Sequence, residues 1–402
     1  MKQLIITIAA LLLLPLAVMA QYEEDTENGV VSLNGKEGFT IATKKGDFVF
    51  KPYMLVQTSA NINYYDDEGL DPAYNQDNIH NSGFSIPYAI LGFTGKAFDR
   101  VTFNLSINAA GSGGNILQQA WFDVEMKKSF AIRAGKFKTP FSHAYLTTLG
   151  ETLMPTLPTS LTSSVILPYS LNAVTPNIGM GFDLGVEVHG LVKEKFGYEV
   201  GIFNGTGSSV NVASKTFSDD WHIPSLLYAG RITYMPKGVM PSNQGSPNRL
   251  KEDKIGLSTS LNVESESEST NDFRAGAEFA MLKNRLYLGA EIYYMNVGFT
   301  KRQKIDESYN YLGGYVQGGY FVTNKLQATA RYDFFNRNGL DTNGFLNMPA
   351  VGFNYFFTSC NLKLQAMYQF IGRTGHDTQL DRDNDDLGLA MHSGTVLLQY
   401  TF

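Results

Sequence analysis

The sequence predicts an all-β transmembrane protein, an antiparallel barrel of about 16 strands. Three observations predict it. Apolar and polar residues alternate with period two from residue 48 almost to the end, which is the strand pattern. The alternating stretches are joined by connections that are mostly short and long in turn, as in membrane barrels. The chain of 402 residues also opens on an apolar segment and ends on an aromatic residue, Phe402.

The first segment stands outside the fold. Lys2 precedes an almost unbroken apolar run from Leu4 to Met19, and Val18-Met19-Ala20 has the small residues of a cleavage site. This reads as a secretory signal peptide over 1–20. A transmembrane anchor is disfavoured, because the apolar run is short and Gln21 opens a polar, acidic stretch. Residues 21–47 read as a periplasmic leader, and 48–402 as the barrel.

The strands follow in order at 48–63, 86–97, 100–110, 117–127, 129–138, 179–193, 196–204, 224–236, 254–263, 270–281, 285–299, 310–323, 326–336, 348–357, 361–373 and 391–402. Alternation is clearest in the second half. Leu286, Leu288, Ala290, Ile292 and Tyr294 alternate with Tyr287, Gly289, Glu291 and Tyr293. Leu326, Ala328, Ala330 and Tyr332 alternate with Gln327, Thr329, Arg331 and Asp333. Leu362, Leu364, Ala366, Tyr368 and Phe370 alternate with Lys363, Gln365, Met367 and Gln369. In the last strand Val396, Leu398, Tyr400 and Phe402 share one face, and Thr395, Gln399 and Thr401 the other. A final strand ending in an aromatic residue resembles the assembly signal of bacterial outer-membrane barrels. It makes the barrel assembly machinery an expected partner through Phe402.

The connections sort by end. Those near 96–100, 127–129, 193–196, 282–284, 323–325 and 358–360 are tight, and 64–85, 139–178, 205–223, 300–309, 337–347 and 374–390 are long. Two short external connections, 111–116 and 264–269, weaken the contrast, and 237–253 breaks it as a long periplasmic linker rich in Pro, Gly and Asn. A sheet in hydrocarbon must close on itself, because unpaired backbone groups find no partner there. One row of each strand is nearly all apolar and the other polar, as lipid outside and water inside require. A soluble sandwich also alternates, but with its polar rows facing out.

Composition narrows the class. Gly (39), Tyr (22) and Phe (27) suit turns, strands and interfacial girdles. No later stretch is apolar for a full helical span, which excludes a helical membrane protein. The lone Cys360 excludes an internal disulfide framework. The formal charge is −6; without Lys2 it is 31 basic against 38 acidic residues, or −7. That balance argues against nucleic-acid binding.

Four segments carry a family resemblance. They are Ile132-Arg133-Ala134-Gly135-Lys136-Phe137-Lys138-Thr139-Pro140-Phe141, Ala229 to Pro236, Gly313 to Phe321, and Asn354 to Tyr368. In these the chain resembles the phosphate-selective porin O and P family of Gram-negative outer membranes. The resemblance implies a porin of about 16 strands in outer-membrane lipid, a homotrimer, with a loop folded inward to narrow the pore. It implies passive diffusion of small hydrophilic solutes, with an anion or phosphate preference. The connection 139–178 sits where such a loop belongs, and its five prolines (Pro140, Pro155, Pro158, Pro168, Pro176) suit an irregular, stiff segment. An external cap is the other placement open to it.

Selectivity depends on the residues lining the constriction. By parity Arg133, Arg231, Arg274, Arg285, Arg331 and Lys363 point into the lumen, and Lys136 and Lys138 lie at the mouth of the long loop. These are the candidate pore-lining and anion-contact residues. Asp123, Glu125, Glu187, Glu199, Glu278, Glu291 and Asp333 share the inward face. Two readings therefore stand side by side: a basic ladder that favours anions, and a charge-balanced wall of cross-strand pairs. The six histidines (His80, His143, His189, His222, His376, His392) form no triad or metal motif. Asp381 to Asp386 has alternating oxygens but lacks the Gly and distal Glu of an EF-hand. No catalytic residue, cofactor or metal is expected. A non-conducting barrel with an adhesive or anchoring role is the alternative function.

Overall fold

The computed structural model describes residues 29–34, 38–43, 45–66, 79–111, 116–162, 182–204, 226–264, 270–299, 308–336, 345–374 and 390–402. The expected signal peptide, residues 163–178 of the long loop and the acidic stretch 381–386 lie outside them. So do His222 and His376.

Two short strands, β1 (Gly29–Asn34) and β2 (Gly38–Thr43), form a hairpin ahead of the barrel. The hairpin lies within the segment read as a leader. It joins the foot of the next strand only at Ile41↔Phe50 and Ala42↔Val49. Sixteen strands then form the barrel. They are β3 (Phe48–Asp66), β4 (Ile79–Ala97), β5 (Val101–Asn108), β6 (Leu117–Lys127), β7 (Phe130–Lys138), β8 (Phe182–Val192), β9 (Phe196–Phe203), β10 (Leu227–Tyr234), β11 (Asp253–Glu264), β12 (Thr270–Lys283), β13 (Leu286–Phe299), β14 (Ser308–Phe321), β15 (Leu326–Asn336), β16 (Phe345–Thr358), β17 (Leu362–Thr374) and β18 (Ala390–Thr401).

Each barrel strand pairs antiparallel with the next, and β18 pairs with β3. The ring thus has no open edge, which is what a sheet surrounded by lipid needs. Met54 and Phe402 complete the seam by exchanging two backbone hydrogen bonds of 3.2 Å. The strands correspond one to one with those the alternation predicts, with shifted ends.

The alternation runs apolar outward. On β18, Val396, Leu398 and Tyr400 are 45–48% exposed, whereas Leu397 and Gln399 are 2% and 0% exposed. On β15, Gln327, Thr329, Arg331 and Asp333 are buried while Tyr332 is exposed. That is the inverse of a soluble protein, and it fits lipid outside. At the short-turn end, Phe98-Asp99 and Lys193-Glu194 all have positive φ. Paired positive φ at the centre of such a tight turn matches the right-handed twist of the strands it joins.

The packed interior lies inside the barrel. The long connection after β7 turns into the lumen, carrying two single-turn helices, α1 (His143–Leu146) and α2 (Thr159–Thr162). Phe141, Ala144 and Leu161 of this inward loop bury themselves against Tyr293, Met295, Tyr311, Tyr315, Phe335, Leu346 and Met348 of β13–β16. Lower down, Leu153 and Met154 pack with Leu282, Tyr287, Ala350 and Met367. Each fully buried apolar side chain of this size contributes about 2 kcal/mol. The loop is therefore part of the fold and not an external cap.

The connection from β10 to β11, expected as a linker, is also part of the interior. Asn243, Gln244 and Ser246 are only 2–5% exposed. They reach the loop from the opposite end of the barrel.

Candidate functional site

The site is the constricted lumen. Its geometry follows from register, because residues directly opposite in an antiparallel pair point to the same face. Asp123↔Arg133↔Glu187 lie in one row across β6, β7 and β8. His189↔Glu199↔Arg231 continue it across β8, β9 and β10. Glu278↔Glu291↔Tyr315↔Asp333 carry it on from β12 to β15. One polar belt thus circles much of the wall.

On the β13–β16 side the belt holds the loop. Glu291 accepts hydrogen bonds from the backbone N–H of Ala144 (2.7 Å) and from the Tyr315 hydroxyl (2.6 Å). Asp333 accepts from the backbone N–H of Ser160 at 3.2 Å and from its hydroxyl, and Tyr293 donates to that same hydroxyl. Arg331 donates to the Thr156 carbonyl at 2.9 Å and to its hydroxyl at 3.3 Å.

A second layer, nearer the short turns, is made of uncharged amides. Gln57 donates to Gln399 (2.8 Å), and Gln399 to the Gly150 carbonyl (2.9 Å). Gln365 donates to Asn354 (3.0 Å) and to the carbonyls of Thr152 and Leu153 (3.3 Å each). Asn354 donates to Gln327 and to the Leu153 carbonyl, both at 2.8 Å. Lys363 Nζ reaches the Thr152 carbonyl at 3.2 Å. The loop therefore descends from the end of β7 to the level of Gly150–Leu153 and climbs back to Ser160.

The β6–β12 side stays hollow. It contains a cavity of about 1140 Å³ whose wall includes Trp121, Arg133, His189, Tyr198, Glu199, Arg231 and Glu278. Arg133 lies over the Trp121 ring at 4.8 Å and pairs with Asp123 (2.9 Å) and, at 3.6 Å, Glu187. His189 Nε2 lies 2.7 Å from Asp123. Arg231 pairs with Glu278 (2.7 Å) and Glu199 (3.1 Å) and donates to Ser258 (3.0 Å). Each guanidinium is thus flanked by two carboxylates. His143, on the loop, closes the cavity on its inner side. Burial, and secondarily the Arg231 charge, pulls its pKa down to about 4. Burial also pushes the Cys360 thiol up.

The barrel is closed and holds a loop in its lumen, and the sequence decides the family. A model of the family "phosphate-selective porin O and P" matches residues 56–402. The chain belongs to that family. It is an outer-membrane porin, and its fold and family are those of a channel rather than an enzyme. No curated protein matches the chain.

Among solved structures, this porin is similar to an anion-selective porin from Comamonas acidovorans. The TM-score is 0.58 at 12% identity, over 88% of this chain and 100% of that one. It is similar to the outer-membrane channel DcaP of Acinetobacter baumannii, with TM-score 0.52, 13% identity and 89% and 99% coverage. It is also similar to OmpF of Salmonella typhi, in a complex with daunomycin, with TM-score 0.51, 12% identity and 89% and 98% coverage. At these identities the likeness is one of fold.

The porin's candidate residues fall into groups. Arg133 and Arg231 line the cavity in paired form. Arg331 and Lys363 face inward but are 3% and 1% exposed and hold the loop. Lys138 donates to the carbonyls of Tyr145 (2.6 Å) and Thr147 (2.9 Å), closing α1, while also bordering the cavity. Lys136 is fully buried. By strict parity it should face lipid with its partner Leu184, but Gly135, at φ 129°, interrupts the row before it. Arg274 is buried opposite Asn262. Arg285 differs from its reading as a lumen residue: it sits in the β12–β13 turn, bonded to the Phe321 carbonyl and Asn324. The amide layer was not among the candidates. Its signal was present as an inward-parity Gln or Asn near the short-turn end of five strands: Gln57, Gln327, Asn354, Gln365 and Gln399.

Proposed function

We propose that solutes cross this porin along the β6–β12 side, by passive diffusion, with a modest preference for anions. The observation that carries the route is the division of the lumen: the loop fills the β13–β18 side, and the cavity borders only the other. The family description, and the anion selectivity in the printed name of the Comamonas porin, support the sign of the preference. The flanking of Arg133 by Asp123 and Glu187, and of Arg231 by Glu278 and Glu199, supports its small size, because each cation is already neutralised. Arg133, Lys136, Lys138, Arg231, Arg274, Arg331 and Lys363 remain the proposed source of positive potential; Arg285, held in the β12–β13 turn, drops out of that set. Export by a signal peptide over 1–20, assembly through Phe402 and a homotrimeric state belong to the same proposal, with no catalytic activity.

Planar-bilayer recording tests it. The reading expects ohmic steps and a reversal potential on the chloride side in a potassium chloride gradient. Folded barrels that never conduct favour the rival, a plugged barrel for adhesion or anchoring, which the occupied half of the lumen recommends.

A further inference from the structure

The connection between β10 and β11 belongs to the end of the barrel opposite the inward loop. Its sequence reads as a long periplasmic linker, yet its middle is buried. Gln244 is 2% exposed, Asn243 4% and Ser246 5%. It meets the loop at its deepest point. The Gln244 backbone N–H donates to the Glu151 carbonyl at 3.1 Å. The Gln244 side-chain oxygen accepts from the Leu153 backbone N–H at 3.1 Å and from Gln317 Nε2 of β14 at 3.0 Å. Thr147 donates to the Ser242 carbonyl at 2.7 Å. Met240 packs against the cluster that buries Leu153 and Met154.

These contacts meet a specific need. The loop at Gly150–Leu153 carries backbone groups into a water-poor interior, and each must find a partner. The wall amides supply donors for the carbonyls of Gly150, Thr152 and Leu153. Among the described residues, the acceptor for the Leu153 N–H and the donor to the Glu151 carbonyl both come from Gln244. Gly245 makes the close approach feasible. Its φ is +134°, and an added Cβ would stand 2.7 Å from Gln327 Nε2.

We propose that the constriction has two parts, and that Gln244 is a positioning residue which braces the inward loop from the periplasmic side against β14. Through that brace the connection keeps the loop off the β6–β12 side and so sets the width of the passage. The width argument rests on the route proposed above; the brace does not.

The test uses the full-length porin with Cys360→Ser, reconstituted in liposomes and bilayers. Thr152→Cys places a near-isosteric thiol at the braced point, where Thr152 is 8% exposed. A small water-soluble maleimide labels it. Gln244→Ala is expected to raise the labelling rate about tenfold, as loss of local hydrogen bonds raises local opening, and to alter single-channel conductance and its noise. Gln317→Ala, which removes the other end of the brace, is expected to act in the same direction. Lys251→Arg, on the exposed part of the same connection and outside the cavity lining, is expected to do neither. Retained heat-modifiable gel mobility shows that each variant is folded. Unchanged labelling in both folded variants overturns the brace. Faster labelling with unchanged conductance upholds the brace and overturns the route.

Discussion

Arg231 and Glu278 meet across the intervening strand β11 as a two-pronged ion pair, with Nη2 2.7 Å and Nε 3.0 Å from Oε2. Glu199 takes the remaining side of the guanidinium at 3.1 Å. Replacing Arg231 with Gln leaves two carboxylates facing the cavity without a cation. The reversal potential is expected to move towards potassium. Glu278 is almost fully buried, so the single variant is expected to lose about 3–5 kcal/mol of stability, and Arg231→Gln with Glu278→Gln to recover much of it. Glu199→Gln is expected to move the reversal potential the other way, towards chloride.

The amide layer makes a different prediction. Asn354 links Gln365, Gln327 and the Leu153 carbonyl without any formal charge. Asn354→Leu takes from the buried Gln327 side-chain oxygen the donor it has here, and removes one partner each from Gln365 and the Leu153 carbonyl, at a cost of about 2 kcal/mol. Because the contacts are uncharged, that cost is expected to be the same at about 0.1 M and about 1 M salt. The temperature at which the folded gel band disappears measures it at each salt concentration.

His143 predicts a pH dependence. In the folded chain its pKa lies near 4, against an ordinary value of 6.5, because burial and Arg231 disfavour the cation. A depressed histidine pKa means that the unfolded chain takes up the proton first. Its contribution is therefore present above about pH 6.5 and is lost as pH falls towards 4, up to about 3 kcal/mol. His143→Gln is expected to flatten the stability profile in that window and to leave it unchanged above pH 7.

Gly135 marks the place where β7 leaves strict alternation before the loop begins. Its φ is +129°, and an added Cβ would lie 2.1 Å from the Ala120 carbonyl oxygen. Backbone cannot yield as a side chain can, so Gly135→Ala is expected to lower the yield of folded barrel. Gly230→Ala, whose Cβ would meet nothing nearer than 3.9 Å, is the control that should fold normally.

Much of the barrel was legible because its determinant is local. The period-two rows of β13, β15, β17 and β18 state which side chains face lipid, and the tight turns state where each strand ends. The same rows named Arg331 and Lys363 as inward residues. Local pattern could not show that both would be taken up by the carbonyls of Thr156 and Thr152, some 175 and 211 positions away in sequence. It read 237–253 as a linker because Pro, Gly and Asn signal irregular backbone without saying what that backbone touches. Lys136 escaped parity through a single glycine conformation. Arg285 escaped it because the row ends at the turn that the residue occupies.

The central claim is that the polar rows of β6–β12 border a wet passage while those of β13–β18 are sealed by the loop. Single-channel recording in a Cys360→Ser background tests it most directly, with a charged methanethiosulfonate added to Ser258→Cys, on the cavity wall, and to Thr395→Cys, 6% exposed on β18. The account predicts a stepwise fall in conductance for Ser258→Cys and none for Thr395→Cys. A response confined to Thr395→Cys, or a folded barrel that conducts nothing, would contradict it.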